Sequence, residues 1–146
     1  MPQSYNRIWI HAIWSTKDRR KIILNSFEYE LHSFMYQQFR ECGCPVRIIN
    51  GVDNHIHCLF LLNPQKSISD VIKQVKGSTS HFINSKNLSP VKFSWQNGFA
   101  SFSVSDSVVD NIARYIENQK RHHNKKSFNT ELTDFLAENR VDPFPE

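Results

Sequence analysis

Two imidazoles, His55 and His57, flank a single isoleucine in the run Asp53-Asn54-His55-Ile56-His57-Cys58. The apolar stretch Leu59-Phe60-Leu61-Leu62 follows and a Gly51-to-Asn54 turn precedes, a pattern that predicts a buried strand. Side chains alternate along a strand, so both histidines face one way while Ile56 and Cys58 face the other. Paired imidazoles at the mouth of a strand suit a divalent metal, and they also suit a hydrogen-bonded pair at a strand edge. A second reactive spacing lies further on, where Tyr115 and Gln119 stand one helical turn apart on the border of an apolar seam. Arg114, Asn118, Arg121 and Lys125 form a polar stripe roughly opposite. Taken alone, that helix reads as amphipathic with its tyrosine half buried. A third stretch, Lys17-Asp18-Arg19-Arg20-Lys21, puts four cations in five positions, which suits phosphate contacts as well as a solvated loop.

The chain that must position these groups has 146 residues, the size of one domain with room for a substantial core. Its net charge of +4 and pI of about 9.1 favour polyanionic partners. No apolar run is long enough to span a bilayer, and the N-terminus lacks the plan of a signal peptide. Cys42, Cys44 and Cys58 are odd in number and have no second pair at zinc spacing, so they are expected as reduced thiols in a cytoplasmic protein.

The chain in order predicts strand, helix, strand, strand, helix, strand, helix. The first strand spans Tyr5 to Trp14, with Ile8, Ile10 and Ala12 on one face and Trp9, His11 and Ile13 on the other. His11 is expected in core packing, with a supporting place beside a metal as the alternative. Asn25 and Glu28 form a capping box for a helix carrying Phe27, Leu31, Phe34, Met35 and Phe39, closed by Gly43. Val46–Asn50 makes a hairpin with the histidine strand. Ser67 and Asp70 open a second helix along Ile68, Val71, Ile72, Val75, Thr79, Phe82 and Ile83, with Lys66, Lys73 and Lys76 exposed. Gly77 inside it costs about 1 kcal/mol relative to Ala, which a close backbone approach, nucleic acid included, or a kink would explain. Residues 92–95 and 99–104 read as strand pieces around Gly98. Ser107 and Asp110 start the tyrosine helix along Val109, Ile112, Ala113 and Ile116. A weaker helix runs from Thr130 through Leu132, Phe135 and Leu136 into an extended tail, 141–146. This divides the chain into a main domain, 1–126, and a C-terminal helix and tail, 127–146.

Together these residues resemble the IS200/IS605-family transposases, the single-tyrosine members of the HUH single-strand endonucleases, which include the REP-associated tyrosine transposases. The resemblance rests on His55-Ile56-His57 and on Tyr115 with Gln119. Supporting stretches are Trp14-Ser-Thr-Lys-Asp-Arg-Arg20, Lys76-Gly-Ser-Thr-Ser80 and Trp95-Gln-Asn-Gly-Phe-Ala-Ser-Phe-Ser-Val-Ser105. It runs from about Tyr5 to His123. It implies a ferredoxin-like α/β (α+β) fold with an antiparallel sheet, and a homodimer with shared active sites, Tyr115 packing against the partner's histidines.

The implied activity is binding of single-stranded DNA hairpins at element ends, followed by cleavage and rejoining of one strand. Tyr115 would be the nucleophile that forms a 5′-phosphotyrosine link. His55, His57 and Gln119 would hold a divalent metal, Mg²⁺ or Mn²⁺, of which Mn²⁺ fits the mixed nitrogen and oxygen ligands at least as well. Lys17, Arg19, Arg20, Arg114 and Arg121 are the expected DNA contacts. A domesticated, non-catalytic hairpin binder would keep those cations but has no use for His55, His57, Tyr115 and Gln119 together. A phosphohydrolase using activated water would need a base near the metal, and only Asp53 is an obvious candidate.

Overall fold

A period-two hydrophobic pattern in the first and histidine strands builds a sheet whose two faces are both covered. The computed structural model describes residues 4–122 and 126–141. Strands β1 (Trp9–Ser15), β2 (Val46–Gly51), β3 (His55–Leu61) and β4 (Ala100–Val104) pair antiparallel in the order β2-β3-β1-β4. Helix α1 (Asn25–Glu41) joins β1 to β2, and α2 (Ile68–Ser85) joins β3 to β4. That order and connectivity make a ferredoxin-like α+β domain, as the strand and helix pattern predicts. Among the described residues no helix is long and apolar enough to cross a membrane.

One sheet face carries Ile10, Ala12, Trp14, Ile56, Cys58 and Phe60, which pack with Phe27, Leu31, Met35 and Phe39 of α1 and Val71, Ile72, Val75 and Ile83 of α2. Each fully buried side chain of this size contributes about 1.5–3 kcal/mol, so this face holds the fold together. Cys42, Cys44 and Cys58 are free and buried. The opposite face carries Trp9, His11, Ile13, His55, His57 and Leu59. Helix α3 (Val109–Glu117) covers Trp9 and Leu59 with Val109, Ala113 and Ile116. Helix α5 (Phe128–Glu138) covers Ile13 and Phe102 with Phe128 and Phe135. The reactive histidines therefore sit under two helices, on the less apolar face.

Several expected boundaries change. Ser67 does cap α2, accepting from the Asp70 amide, and Gly43 takes a left-handed φ of +72° after α1. Asn25, however, lies inside α1; Leu24 occupies the cap position without a side-chain bond. Glu28 turns instead to Lys120 at 3.0 Å. Residues 92–95 contribute a single bridge, Thr16 with Trp95. The Asn84 side chain clamps both the amide and the carbonyl of Phe93 at 2.8 Å, taking the bonds a strand ladder would use. Lys76 is not free: its ammonium donates to the carbonyls of Gln96 and Gly98, each at 2.7 Å.

The expected continuous helix through Tyr115 and Arg121 breaks at Asn118. There the backbone amide and the side-chain amide both bond the Arg114 carbonyl, at 3.1 and 3.0 Å, and the short α4 (Gln119–His122) restarts. The last helix begins at Phe128, capped by Ser127, rather than at Thr130. Lys125 of the polar stripe and most of the extended tail, 142–146, lie outside the described residues.

Candidate active site

Antiparallel register fixes the histidine pair. His57 lies opposite Ile13 of β1 and Asn50 of β2, and His55 opposite Ser15. His11, two residues before Ile13, is thus the diagonal neighbour of His57, and its Nε2 stands 2.9 Å from His57 Nδ1. His11 thus combines core packing against Phe102 and Phe135 with this contact to His57. All three rings are buried, at 1% exposure or less. Burial, first, and then the neighbouring His57 push the His11 pKa well below the ordinary histidine value, with Glu131 acting against them. His55 turns its Nδ1 to the Asn54 side-chain oxygen at 2.8 Å. Such second contacts on the outer ring nitrogen are what orient metal-binding imidazoles.

Helix α3 reaches this point from the side. Asp106, just before it, accepts from Arg7 Nε at 2.6 Å and Trp9 Nε1 at 3.1 Å, tying the start of the helix to β1. Tyr115 then lies against His57 of its own chain, ring centroids 5.9 Å apart and steeply inclined. Despite the break at Asn118, Gln119 points inward and is fully buried.

The residue that joins all of these has no place in the sequence motifs. Glu131 of α5 is 1% exposed. Its Oε1 stands 3.0 Å from His55 Nε2 and 2.9 Å from His57 Nε2. Its Oε2 accepts from the Tyr115 hydroxyl and, at 2.9 Å, from Gln119 Nε2. A signal for it exists in the sequence: positions 128, 131, 132 and 135 form the apolar stripe of α5, and Glu131 is the one acid on it. Burial works to raise the Glu131 pKa, but the bonds with His55, His57 and Tyr115 outweigh it and hold the carboxyl ionised well below the usual range. For Tyr115 burial comes first, then the bond to Glu131 and its charge, and all three drive the phenol well above its ordinary value.

His55, His57 and Glu131 each offer an atom within 4.8 Å of the other two, the spacing of a metal-binding cluster. Gln119 Oε1 is buried without a hydrogen-bond partner, a costly state for an amide oxygen that a cation would relieve. The residues present therefore fit a divalent ion.

The expected DNA contacts are spread more widely. Lys17, Arg20, Arg114 and Arg121 are exposed. The loop of Lys17 and Arg20 is fastened to the site's edge, since the Thr16 amide donates to the Asn54 carbonyl at 2.9 Å. Arg19 is exposed too, and it also donates to Asn129 Oδ1 and lies 5.1 Å above the Phe128 ring, holding α5. Phe128 in turn covers His55, centroids 4.5 Å apart. Between α3 and α5 a groove of about 470 Å³ reaches Tyr115 and Glu131 from the surface.

A family model described as "Transposase IS200 like" matches residues 4–119. The chain belongs to the IS200-like transposase family. As a transposase of this type it is a DNA-cleaving enzyme. Among curated relatives, the ISDra2 transposase TnpA of Deinococcus radiodurans is 25% identical over 114 residues, covering 75% of this chain and 81% of that one. A crystal structure of a transposase candidate from the same organism superposes with a TM-score of 0.63 at 22% identity, covering 82% of this chain and 96% of the other. The structure of a REP-associated tyrosine transposase bound to a REP hairpin gives 0.62 at 16%, covering 84% and 73%. The transposase match ends at Gln119, so Glu131 and α5 lie beyond it.

Proposed function

We propose that this transposase binds hairpins in single-stranded DNA and cuts and rejoins one strand through Tyr115. The reading is carried by one observation: a single carboxylate touches His55, His57, Tyr115 and Gln119, so the four motif residues converge on one buried point. Tyr115 is the one member not fully buried and faces the groove between α3 and α5. Its phenolic oxygen forms a bond to the scissile phosphorus as the bond to the 3′ oxygen breaks, leaving a 3′-OH and a 5′-phosphotyrosine. A later 3′-OH attacks that link, restores the phosphodiester and returns the phenol. Covalent capture keeps the energy of the phosphodiester for rejoining.

His55, His57 and Gln119 would hold Mg²⁺ or Mn²⁺, and such an ion would polarise the scissile phosphate and stabilise charge on its oxygens. His11 and Asn54 hold the two imidazoles in line by their outer nitrogens. Lys17, Arg20, Arg114 and Arg121 contact phosphates, with Arg19 divided between DNA and α5. The partners are single-stranded DNA hairpins, a reading supported by the relative bound to a REP hairpin, and a second copy of the chain, in the cytoplasm. In the division proposed from sequence, 1–126 forms the transposase domain and 127–146 a C-terminal helix and tail. Each chain carries its own Tyr115 beside its own His57; a shared site in the homodimer would exchange this helix between copies.

The test separates chemistry from binding. His55→Ala and His57→Ala should each lower hairpin cleavage by at least about a hundredfold, since ion stabilisation is worth several kcal/mol. Hairpin affinity should stay within about twofold, because phosphate contacts use other residues. Parallel loss of binding and cleavage would contradict the proposal.

A further inference from the structure

His55 turns its Nδ1 to the Asn54 side-chain oxygen, which leaves its Nε2 facing Glu131. That Nε2 stands 3.0 Å from Glu131 Oε1, and His57 Nε2 stands 2.9 Å from the same atom. Protons on the imidazoles make these contacts ion pairs, and a divalent ion among the same three atoms makes them neighbouring ligands. The spacing is also that of neighbouring ligands: bonds of about 2.1 Å at right angles put donor atoms about 3.0 Å apart.

We propose that Glu131 is a ligand of the divalent ion through Oε1, and that the C-terminal helix, beyond the matched residues 4–119, completes the metal site. This rests on the reading that His55 and His57 hold such an ion. The chemistry of the set changes with it. Two imidazoles and an amide leave the ion its full charge, whereas a carboxylate supplies a hard, anionic oxygen that suits Mg²⁺ and Mn²⁺ and tightens their binding. Oε2 of the same carboxylate accepts from Tyr115 and Gln119, so one side chain both holds the ion and positions the nucleophile. Arg19 and Phe128 keep α5 seated while it does so.

The alternative is that Glu131 merely pairs with the two imidazoles by hydrogen bonds. Mn²⁺ titration of the full chain by calorimetry and electron paramagnetic resonance, with hydrogen exchange on α5, distinguishes the two. Glu131→Gln and Glu131→Ala should weaken Mn²⁺ binding by at least about tenfold. Glu138→Gln, an exposed acid on the same helix, should leave it unchanged. In the wild type, Mn²⁺ should increase amide protection along residues 128–138, and in the Glu131 variants it should not. Undiminished affinity in Glu131→Ala with faster cleavage, or loss of α5 protection when Mn²⁺ is added to the wild type, would overturn the assignment. His57→Ala reports on the underlying reading: if it binds Mn²⁺ like the wild type, the histidine site itself is wrong.

Discussion

Gly51→Ala should damage the metal site without touching any ligand. Gly51 ends β2 opposite Ile56. A Cβ there would meet the His55 carbonyl oxygen at 2.2 Å, the Ile56 Cα at 3.0 Å and the His55 carbonyl carbon at 3.1 Å. All three are backbone atoms, so no rotamer relieves the clash and the two strands must part by about 1 Å. Overpacking of this kind costs about 1–3 kcal/mol. The Val52 amide bond to the same His55 oxygen, 3.2 Å long, is lost with it and adds about 1 kcal/mol. A total of about 2–4 kcal/mol is below the stability expected for a domain of this size, so the variant should fold. It should melt roughly 5–15 °C lower. Because the atoms that move belong to His55, Mn²⁺ should stabilise it far less than the wild type. Gly77→Ala is the matched control: nothing lies within 4 Å of its Cβ and α2 runs through it from Ile68 to Ser85. That change should stabilise by about 0.5–1 kcal/mol. Thermal melts with and without Mn²⁺ decide the matter, and a Gly51→Ala protein with wild-type melting and wild-type Mn²⁺ response would refute the reasoning.

Two further predictions concern charge. If about five cations meet single-stranded phosphates, log K should fall with log salt at a slope near −3.5, and Arg20→Ala should flatten it by about 0.7; Arg19→Ala should flatten it less, since its guanidinium holds α5, and equal or absent effects in salt-dependent binding assays would count against this assignment. His32 is held down to about 4 from an ordinary 6.5, by burial first and against the pull of Glu28. The native state therefore takes up this proton later than the unfolded chain. Stability should fall as pH drops from about 6.5 to 4, by up to about 3 kcal/mol in all, and level off below. Urea unfolding across that range should show this loss reduced in His32→Leu; an identical pH profile would exclude the mechanism.

The shared face of His55 and His57 was legible because a period of two leaves no freedom about which side a residue faces. Tyr115 and Gln119 were legible because a spacing of four puts them on one edge, and the break at Asn118 leaves both reaching the same carboxylate. That break itself was hidden, since a side chain competing for the Arg114 carbonyl is a local hydrogen-bond choice with no periodic signature. Asn25 looked like a cap by type, but Glu28 serves Lys120, a partner distant in sequence. Glu131 was missed because its meaning is tertiary: an acid on an apolar stripe becomes intelligible only when the stripe is laid over two histidines. Arg19 carries a second, equally hidden meaning, since its contacts with Asn129 and Phe128 join segments far apart in sequence.

The central claim is that Tyr115 becomes covalently attached to DNA, and trapping that link tests it most directly. Wild-type protein with a single-stranded hairpin substrate and Mn²⁺ should give a slow-migrating protein–DNA species that survives boiling in SDS, and mass spectrometry should place the adduct on Tyr115. Tyr115→Phe loses a hydrogen bond to a charged acceptor, which should cost about 1.5–3 kcal/mol of stability, yet it should still bind the hairpin and form no adduct. An adduct that persists in Tyr115→Phe, or cleavage by the wild type with no trapped tyrosine, would contradict the account.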